Sequence, residues 1–512
     1  MSDQKSEADQ SPEGDAEPVA PGLNAVPDSQ ATNIRRWIAL AMGPALGLVV
    51  YVLLPAGLAH DARLTAGVAV LMAVWWMTEA IPIPATALLP LVVFPVLGKP
   101  AVDDVGASYG NNIIFLFMGG FLLALAMQRW NLHRRIALLT VRAMGTKPSM
   151  VIAGFMIATG FMSMWVSNTA TAVMMLPIGV SVLLLVTKID SDADPDSALS
   201  TNFGTALMLG IAYSASIGSL ATIIGTPPNT LLVGYLSENQ DIEIGFGQWM
   251  LLGLPLAIIL MVVCWWVLTQ WIFPPEMDDI PGGRQLMDDE LAKLDAMSTA
   301  ERRVLAIFVA AAASWISIPL IQDEPFISDA GIAMTVGLLL FIVPAGTKRG
   351  VRLLDWRTAE QLPWGVLLLF GGGLALSAQF TDSGLSDWIG EQASDLGGVP
   401  LVLLVALVAA GVLLLTELTS NTATAATFLP LAGGVAVGLG LDPLLLTIPV
   451  ALAASCAFML PVATPPNAIA YGSGYVTIGQ MIRGGIWLNI AALILTTLGT
   501  MTLAVWVFGI AL

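Results

Sequence analysis

Long hydrophobic runs follow one another along nearly the whole chain, from Trp37 to Leu512. Many are about 17 to 25 residues long, the length that an α-helix needs to cross the hydrocarbon core of a bilayer. The pattern predicts an all-α polytopic membrane protein with about eleven transmembrane helices. The predicted spans lie near residues 37–58, 64–80, 82–97, 111–128, 203–236, 248–273, 303–321, 329–345, 361–380, 443–472 and 485–511.

Two further apolar regions differ from these spans because each is divided by a short polar centre. The first has arms at 148–165 and 170–187, and the second has arms at 399–416 and 423–440. We predict that each region, 148–187 and 399–440, is a re-entrant helical hairpin that enters the membrane and returns to the same side.

The distribution of charge between the spans supports this topology. With both hairpins re-entrant, the loops rich in Lys and Arg all fall on one face, which the positive-inside rule makes the cytoplasm. Residues 237–248, 322–329 and 381–395 lie on the opposite face and contain no Lys or Arg. The sequence thus predicts a multi-pass protein of the inner membrane, with a cytoplasmic amino terminus and a periplasmic carboxyl terminus.

One polar sequence occurs twice, at the centre of each hairpin. Residues 167–171 and 420–424 both read Ser-Asn-Thr-Ala-Thr, and Leu-Pro follows each copy at the same distance. The Gly-rich segments 116–120 and 369–373 precede the two copies by the same interval. This preserved register indicates an internal repeat.

A second pair of motifs follows, with Gly-Thr-Pro-Pro-Asn at 225–229 and Ala-Thr-Pro-Pro-Asn at 463–467. Adjacent prolines remove backbone donors, so we expect each of these spans to break into two half-helices. Five spans separate the hairpins, and this odd number turns the second unit upside down relative to the first. The prediction is an inverted-topology repeat, which places substrate and ion sites near the midplane of the bilayer.

The residue types at the hairpin tips indicate what they bind. Hydroxyl and amide oxygens are hard, neutral ligands that suit an alkali cation. The same residues are good N-caps, which leave free N–H groups and a positive helix end at each tip, where a carboxylate is attracted. None of the motifs contains Lys or Arg, so bound cations would neutralise a doubly charged anion and couple its transport to their own.

Polar residues in membrane helices can also have a purely structural role, because Ser, Thr and Asn often only hydrogen-bond neighbouring helices. Their duplication in register favours binding at these tips. Glu417 and Glu79 lie inside apolar stretches, where an acid is either functional or bonded to the backbone, and the sequence leaves both roles open.

Other classes of protein are excluded or disfavoured. The chain lacks the HExxH and GxxxxGK[ST] motifs, so we expect no enzyme, no ATP-driven pump and no cofactor. A channel or a membrane-embedded enzyme is the alternative from another class of protein.

Residues 1–34 are predicted to form a disordered acidic cytoplasmic tail, not a signal peptide. The net charge is −17, and no nucleic-acid partner is expected.

At its paired motifs the sequence resembles the divalent anion/sodium symporter family, whose mark is two Ser-Asn-Thr tips in inverted repeats. Residues 455–467 also look like the carboxyl-terminal signature of that family. The resemblance implies a homodimer in lipid in which a scaffold domain holds the interface and a transport domain moves as an elevator. The scaffold would comprise 35–98 and 248–345, with a cytoplasmic loop at 274–302, and the transport domain would comprise 111–236 and 361–512.

The resemblance also implies the binding residues. The first sodium site would use Ser163, Ser167, Asn168 and the carbonyl of Gly218. The second would use Thr416, Ser420, Asn421 and the carbonyl of Ala463. The substrate would be bound by Asn168, Thr169, Ser219, Asn421, Thr422, Thr464 and Pro465.

The leading functional hypothesis is sodium-coupled uptake of a C4-dicarboxylate: succinate, fumarate or malate. Sodium-independent dicarboxylate exchange is the main alternative, because related members perform it with similar motifs. Sodium-coupled transport of citrate or sulfate is a third possibility within the family.

Overall fold

The computed structural model describes residues 30–189, 201–280, 283–322, 325–393 and 398–510. These residues form helices joined by short loops, with no strand among them. The helices of the first half are α1 Gln30–Leu53, α2 His60–Thr78, α3 Ile83–Thr86, α4 Pro90–Leu97, α5 Val102–Ala107, α6 Asn112–Arg129, α7 Leu132–Ala143, α8 Pro148–Ser163, α9 Asn168–Ile189, α10 Asn202–Ser219, α11 Pro227–Asn239 and α12 Phe246–Trp266.

The second half continues in the same manner. Its helices are α13 Gly283–Ala292, α14 Thr299–Ile321, α15 Asp329–Ile342, α16 Trp356–Ala359, α17 Trp364–Asp382, α18 Leu385–Ala393, α19 Leu401–Thr416, α20 Asn421–Gly438, α21 Leu444–Ala454, α22 Pro465–Gly472, α23 Ile478–Gly499 and α24 Val505–Phe508. A π-helical segment follows α12 at Val267–Ile272, and another follows α23 at Thr500–Ala504.

Five helices of the described chain are long and apolar enough to cross a membrane by themselves. They are Asn33–Leu53, Val102–Arg129, Phe246–Ile272, Trp364–Asp382 and Ile478–Phe508. Six shorter apolar helices accompany them, among them both helices of the first predicted hairpin and the first helix of the second. This confirms a helical, multi-pass membrane protein. Length and composition alone identify five of the eleven predicted spans among the described residues, and two of the other six consist of half-helices.

The breaks in those two spans lie where the proline motifs predict them. Helix α10 ends at Ser219 and α11 begins at Pro227, while α21 ends at Ala454 and α22 begins at Pro465. Proline is well suited to the first turn of a helix, where a missing N–H leaves no bond unmade. The residues between each pair of half-helices, 220–226 and 455–464, are not helical.

The repeat seen in the motifs extends to the helix boundaries. Helices α8 and α19 are both 16 residues long, and they end at Ser163 and Thr416. The next helices, α9 and α20, begin at the two motif residues Asn168 and Asn421. The short helices α7 and α18, which the hydrophobic pattern places in loops, also begin at equivalent positions of the two units.

Ion pairs join segments that lie between the predicted spans. Segment 283–301 is acidic and forms ion pairs with α7, namely Arg134–Glu290 at 2.7 Å, Arg135–Glu301 at 2.7 Å and Arg142–Asp288 at 2.6 Å. Nearby, the backbone N–H of Thr358 and the Arg129 guanidinium lower the pKa of Asp355 to about 2. These contacts hold together loops that are distant in the sequence.

The first helix begins earlier than its hydrophobicity suggests. The predicted tail 1–34 overlaps α1, which starts at Gln30, so residues 30–34 are helical and the tail prediction is wrong for them. They extend the helix by about one turn. Residues 1–29 lie outside the described part of the chain.

The centre of the molecule is formed by α10 and α21. Every residue from Phe203 to Ser219 in α10 is buried, and so is every residue from Leu444 to Ala454 in α21. A helix that is buried on all sides is expected to be apolar all round. Both helices end at the breaks described above, which places these irregular segments in the protein interior.

Close packing of α18 on α20 gives a test of the fold. A side chain added at Gly438 would overlap the backbone of Gly390, so we expect Gly438→Ala to destabilise the protein by about 1 to 3 kcal/mol. Thermal unfolding of the detergent-solubilised protein measures the effect. Gly411→Ala in α19 is the control, because nothing lies within 4 Å of a side chain added there. Equal melting temperatures for the two variants would contradict the packing.

Candidate functional site

The first tip, residues 164–167 between α8 and α9, is tied to α10 and to the segment after it. The buried hydroxyl of Ser163 donates a hydrogen bond to the carbonyl of Ala215 at 2.5 Å. The hydroxyl of Thr222 donates to the carbonyl of Met164, also at 2.5 Å. Two hydroxyl groups therefore hold the beginning of the tip in place.

The polar residues at the end of this tip face outward. Ser167, Asn168 and Thr169 are partly exposed, although their neighbours on both sides are largely buried. The Ser167 hydroxyl accepts the N–H of Ala170 at 3.3 Å, and Asn168 Oδ1 accepts the N–H of Thr169 at 2.9 Å. Both oxygens retain lone pairs, so the beginning of α9 offers a cluster of neutral oxygens and a helix N-terminus.

The second tip, residues 417–420 between α19 and α20, has a corresponding arrangement. The hydroxyl of Thr416 lies 2.7 Å from the carbonyl of Ala454 and 2.8 Å from Oδ1 of Asn421, and it shares its proton between them. Ser420, Asn421 and Thr422 are partly exposed. Thr416 therefore positions the tip as Ser163 does in the first unit.

The asparagines of the two proline motifs stabilise the irregular segments. The Nδ2 of Asn229 donates to the carbonyl of Thr222 at 2.9 Å and lies 3.3 Å from that of Leu220. The Nδ2 of Asn467 donates to the carbonyls of Ala457 and Leu460, both at 3.1 Å. Each amide replaces the helical bonds that the break removes. These asparagines are not among the predicted ligands, although their occurrence in both motifs is a signal that the sequence carries.

The remaining predicted ligands lie along the same segments. Ser219 is fully buried and donates to the carbonyl of Ser216 at 2.7 Å, whereas Thr464 accepts the N–H of Asn467 at 3.3 Å. Gly218 has to be glycine, because a side chain there would overlap the backbone of Gly160. Ala463 is buried, and Pro465 is exposed.

The two units meet at these segments. The hydroxyls of Thr226 and Ser455, one from each break, lie 3.3 Å apart and are buried. Helix α22 packs against α9, and α11 packs against α20, so each tip helix has a half-helix of the other unit as its neighbour. The structure thus brings the predicted residues of both units into one region.

Glu417 is the acidic residue of this region, and its partners are visible only in the structure. One carboxylate oxygen accepts the N–H groups of Phe458 and Met459 at 2.8 and 3.0 Å, and the other accepts that of Leu460 at 3.1 Å. The Nδ2 of Asn489 donates to the same carboxylate at 2.6 Å. Glu417 therefore binds the second tip to segment 455–464, as Thr222 binds the first tip to segment 220–226.

The available ligands at both tips are neutral. Among the described residues, no group of three or more His, Cys, Asp or Glu side chains could hold a metal ion. Hydroxyl, amide and carbonyl oxygens dominate instead, and such ligands suit a hard monovalent cation better than a transition metal. The chemistry of the tips fits sodium.

Comparison with known proteins agrees with this geometry. Residues 33–510 match the family model described as "Sodium:sulfate symporter transmembrane region". A protein of Staphylococcus saprophyticus called "Sodium-dependent dicarboxylate transporter SdcS" is 42% identical over 490 residues, which is 94% of each chain. A protein of the same name from Staphylococcus aureus is 42% identical over 467 residues, or 90% of each chain.

Solved structures support the fold. The YdaH transporter of Alcanivorax borkumensis matches with a TM-score of 0.52 and 16% identity, covering 93% of this chain and 98% of its own. MtrF of Neisseria gonorrhoeae matches with a TM-score of 0.53 and 12% identity, covering 95% of this chain and 96% of its own. At this level of identity the likeness concerns the fold alone.

The family consists of transporters, which confirms that the chain is not an enzyme, and sodium is the coupling ion that fits its members. The match over residues 33–510 and the identity of 42% along 94% of the chain leave one conclusion. The chain belongs to the divalent anion/sodium symporter family.

Proposed function

We propose that the chain is a secondary active transporter that couples the uptake of C4-dicarboxylates, such as succinate, fumarate and malate, to sodium. One observation carries the proposal. Two equivalent Ser-Asn-Thr tips present partly exposed neutral oxygens in one region and contain no Lys or Arg. The two staphylococcal relatives named above support the sodium and the dicarboxylate.

The absence of basic side chains from the motifs determines how coupling would arise. A dicarboxylate carries two negative charges, and moving them to membrane depth unneutralised is very costly. Sodium ions bound at Ser163, Ser167, Asn168 and the Gly218 carbonyl, and at Thr416, Ser420, Asn421 and the Ala463 carbonyl, would supply the counter-charge. Because the anion needs the cations, it does not move without them.

The carboxylates of the substrate would bind between the tips. Asn168 and Thr169 would contact one carboxylate, and Asn421 and Thr422 would contact the other, with hydrogen bonds from side chains and from the N-termini of α9 and α20. Ser219, Thr464 and Pro465 would line the same site. Bound cations and helix N-termini would then act on the anion together.

The motion in this proposal is an elevator movement of an inverted repeat with two re-entrant hairpins, 148–187 and 399–440. The scaffold would comprise 35–98 and 248–345, the transport domain would comprise 111–236 and 361–512, and two copies would form a homodimer through the scaffold. Helix α12 packs against both α10 and α14, so it would lie at the boundary between these two domains. The basic loops would face the cytoplasm.

Glu417 would act in this cycle as a positioning residue. Its carboxylate orders Phe458, Met459 and Leu460, which lead directly to the Ala463 carbonyl of the second sodium site. The equivalent position of the first unit is Met164, which contributes only a carbonyl. The second site therefore depends on a charge that the first lacks.

Transport of sulfate is the second candidate, and the description of the matching family model favours it. Sodium-independent exchange of dicarboxylates is the remaining alternative of the same class. All three possibilities use the same site and differ in the ions that must be present.

The direct test is uptake of labelled succinate into proteoliposomes. We expect uptake driven by an inward sodium gradient, and we expect it to fall to background when choline replaces sodium. Unlabelled fumarate and malate should compete, whereas sulfate should not. Uptake that persists in choline and requires internal dicarboxylate would replace symport with exchange.

Substitution of the tip asparagines tests the site. Asn168→Ala and Asn421→Ala should each reduce uptake at least a hundredfold, because each removes an oxygen proposed to ligate sodium and an amide proposed to bind substrate. The melting temperature without sodium should stay within a few degrees of the wild type, because both side chains are partly exposed. Wild-type rates in either variant would refute the assignment.

Glu417→Gln tests the positioning role. The change keeps the size of the side chain but directs an amide at backbone donors, and each unsatisfied donor costs about 1 to 3 kcal/mol. We expect the half-saturating sodium concentration to rise roughly tenfold, since about 1.4 kcal/mol corresponds to a factor of ten. Glu79→Gln is the control, because Glu79 is exposed at the end of α2, and its sodium dependence should not change. Identical sodium curves for the two variants would remove Glu417 from the mechanism.

A further inference from the structure

The first tip carries a large aromatic residue that the proposed sites do not use. Trp165 lies between Ser163 and Ser167, two proposed ligands of the first sodium ion, and is only 7% exposed. Its ring is edge-to-face with Phe308 at a centroid distance of 4.9 Å. It is stacked with Phe246 at 6.0 Å and with Trp315 at 6.4 Å.

The three aromatic residues around Trp165 form a pocket, two of whose members are stacked on each other and bonded to a common residue. Phe246 and Trp315 stack on each other with their centroids 4.6 Å apart. Asp329 fixes both, because its carboxylate accepts the N–H of Phe246 at 2.8 Å and its carbonyl accepts Nε1–H of Trp315 at 3.1 Å. These residues belong to α12, α14 and α15, so the pocket lies outside the hairpin that Trp165 belongs to.

The second tip shows that a tip of this kind folds without such a pocket. The position equivalent to Trp165 is Leu418, which is 67% exposed. The breaks differ in the same way, since Ile224 of the first is 4% exposed and the corresponding Val462 of the second is 75% exposed. The first unit is therefore covered by neighbouring helices where the second is open, although both carry the same motif.

We infer that Trp165 is a positioning residue that sets the geometry of the first sodium site by anchoring its tip to α14 and α12 of the proposed scaffold in this conformation of the transporter. The inference rests on the proposed sodium-coupled function. Ligands on both sides of the indole, Ser163 and Ser167, are held at a defined separation while Trp165 occupies its pocket. Sodium then binds a loop that is already ordered.

Loss of the anchor has a predictable consequence for ion binding. Fixing one residue of a flexible loop costs about as much free energy as a tenfold change in affinity. Trp165→Ala should therefore raise the half-saturating sodium concentration about tenfold. The maximal rate at saturating sodium should change much less, because no proposed ligand has been removed.

The experiment compares four variants in the full-length protein. Trp165→Ala removes the anchor, and Trp165→Phe keeps an aromatic ring in the pocket. Phe308→Ala alters the pocket and leaves the sequence of the tip unchanged. Leu418→Ala is the matched control at the equivalent position of the second tip. Sodium dependence is measured twice, by succinate uptake in proteoliposomes and by the rise in melting temperature of the detergent-solubilised protein as sodium replaces choline.

We expect Trp165→Ala and Phe308→Ala to shift both sodium curves about tenfold, Trp165→Phe to restore most of the shift, and Leu418→Ala to stay within twofold of the wild type. A purely structural role would lower the melting temperature in choline without moving the sodium curves, and that result would overturn the inference. Equal shifts from Trp165→Ala and Leu418→Ala would also overturn it.

Failure of the proposed function gives a different result. Wild-type protein that neither transports with sodium nor is stabilised by it would refute sodium coupling itself, whatever the variants do. A wild type that responds to sodium, together with Trp165→Ala curves that match it, would refute only the role of Trp165.

Discussion

Irregular backbone within a membrane protein is tolerated only where other groups satisfy its N–H and C=O, and this constraint shapes the centre of the molecule. Four short segments depart from helical geometry there: 164–167, 220–226, 417–420 and 455–464. Side chains of neighbouring elements bond each of the two breaks, with Asn229 and Asn467 in equivalent roles. Polar residues beside the predicted ligands therefore hold the irregular segments together.

The two units connect the tip to the neighbouring break through different chemical groups. In the first, the Thr222 hydroxyl reaches the carbonyl of Met164, and in the second, the Glu417 carboxylate accepts three backbone N–H groups. A charged acceptor makes stronger hydrogen bonds than a neutral one. The second tip is also the more exposed, so the stronger bonds occur where neighbouring helices provide less support.

Much of the fold could be predicted because its signals are local. Hydrophobic run lengths identify the helices, the prolines mark the breaks before α11 and α22, and the spacing of the motifs reveals a repeat that the helix boundaries follow. The short helices α7 and α18 escaped prediction, because a helix of 12 or 9 residues with mixed polarity carries a weak pattern. The assignment of sodium ligands by resemblance stays a prediction.

The sequence by itself determined the membrane class, the breaks, the duplicated tips and the family, because helix length, proline chemistry and motif spacing each act within short stretches of chain. Only the tertiary structure decided that the Glu417 carboxylate accepts backbone N–H groups of segment 455–464 and that the hydroxyls of Thr226 and Ser455 meet. It also decided that Trp165 is buried while Leu418 is exposed. The physical reason is that these contacts join residues far apart in the chain. Helix packing chooses such partners, and near-identical motifs are placed in different surroundings.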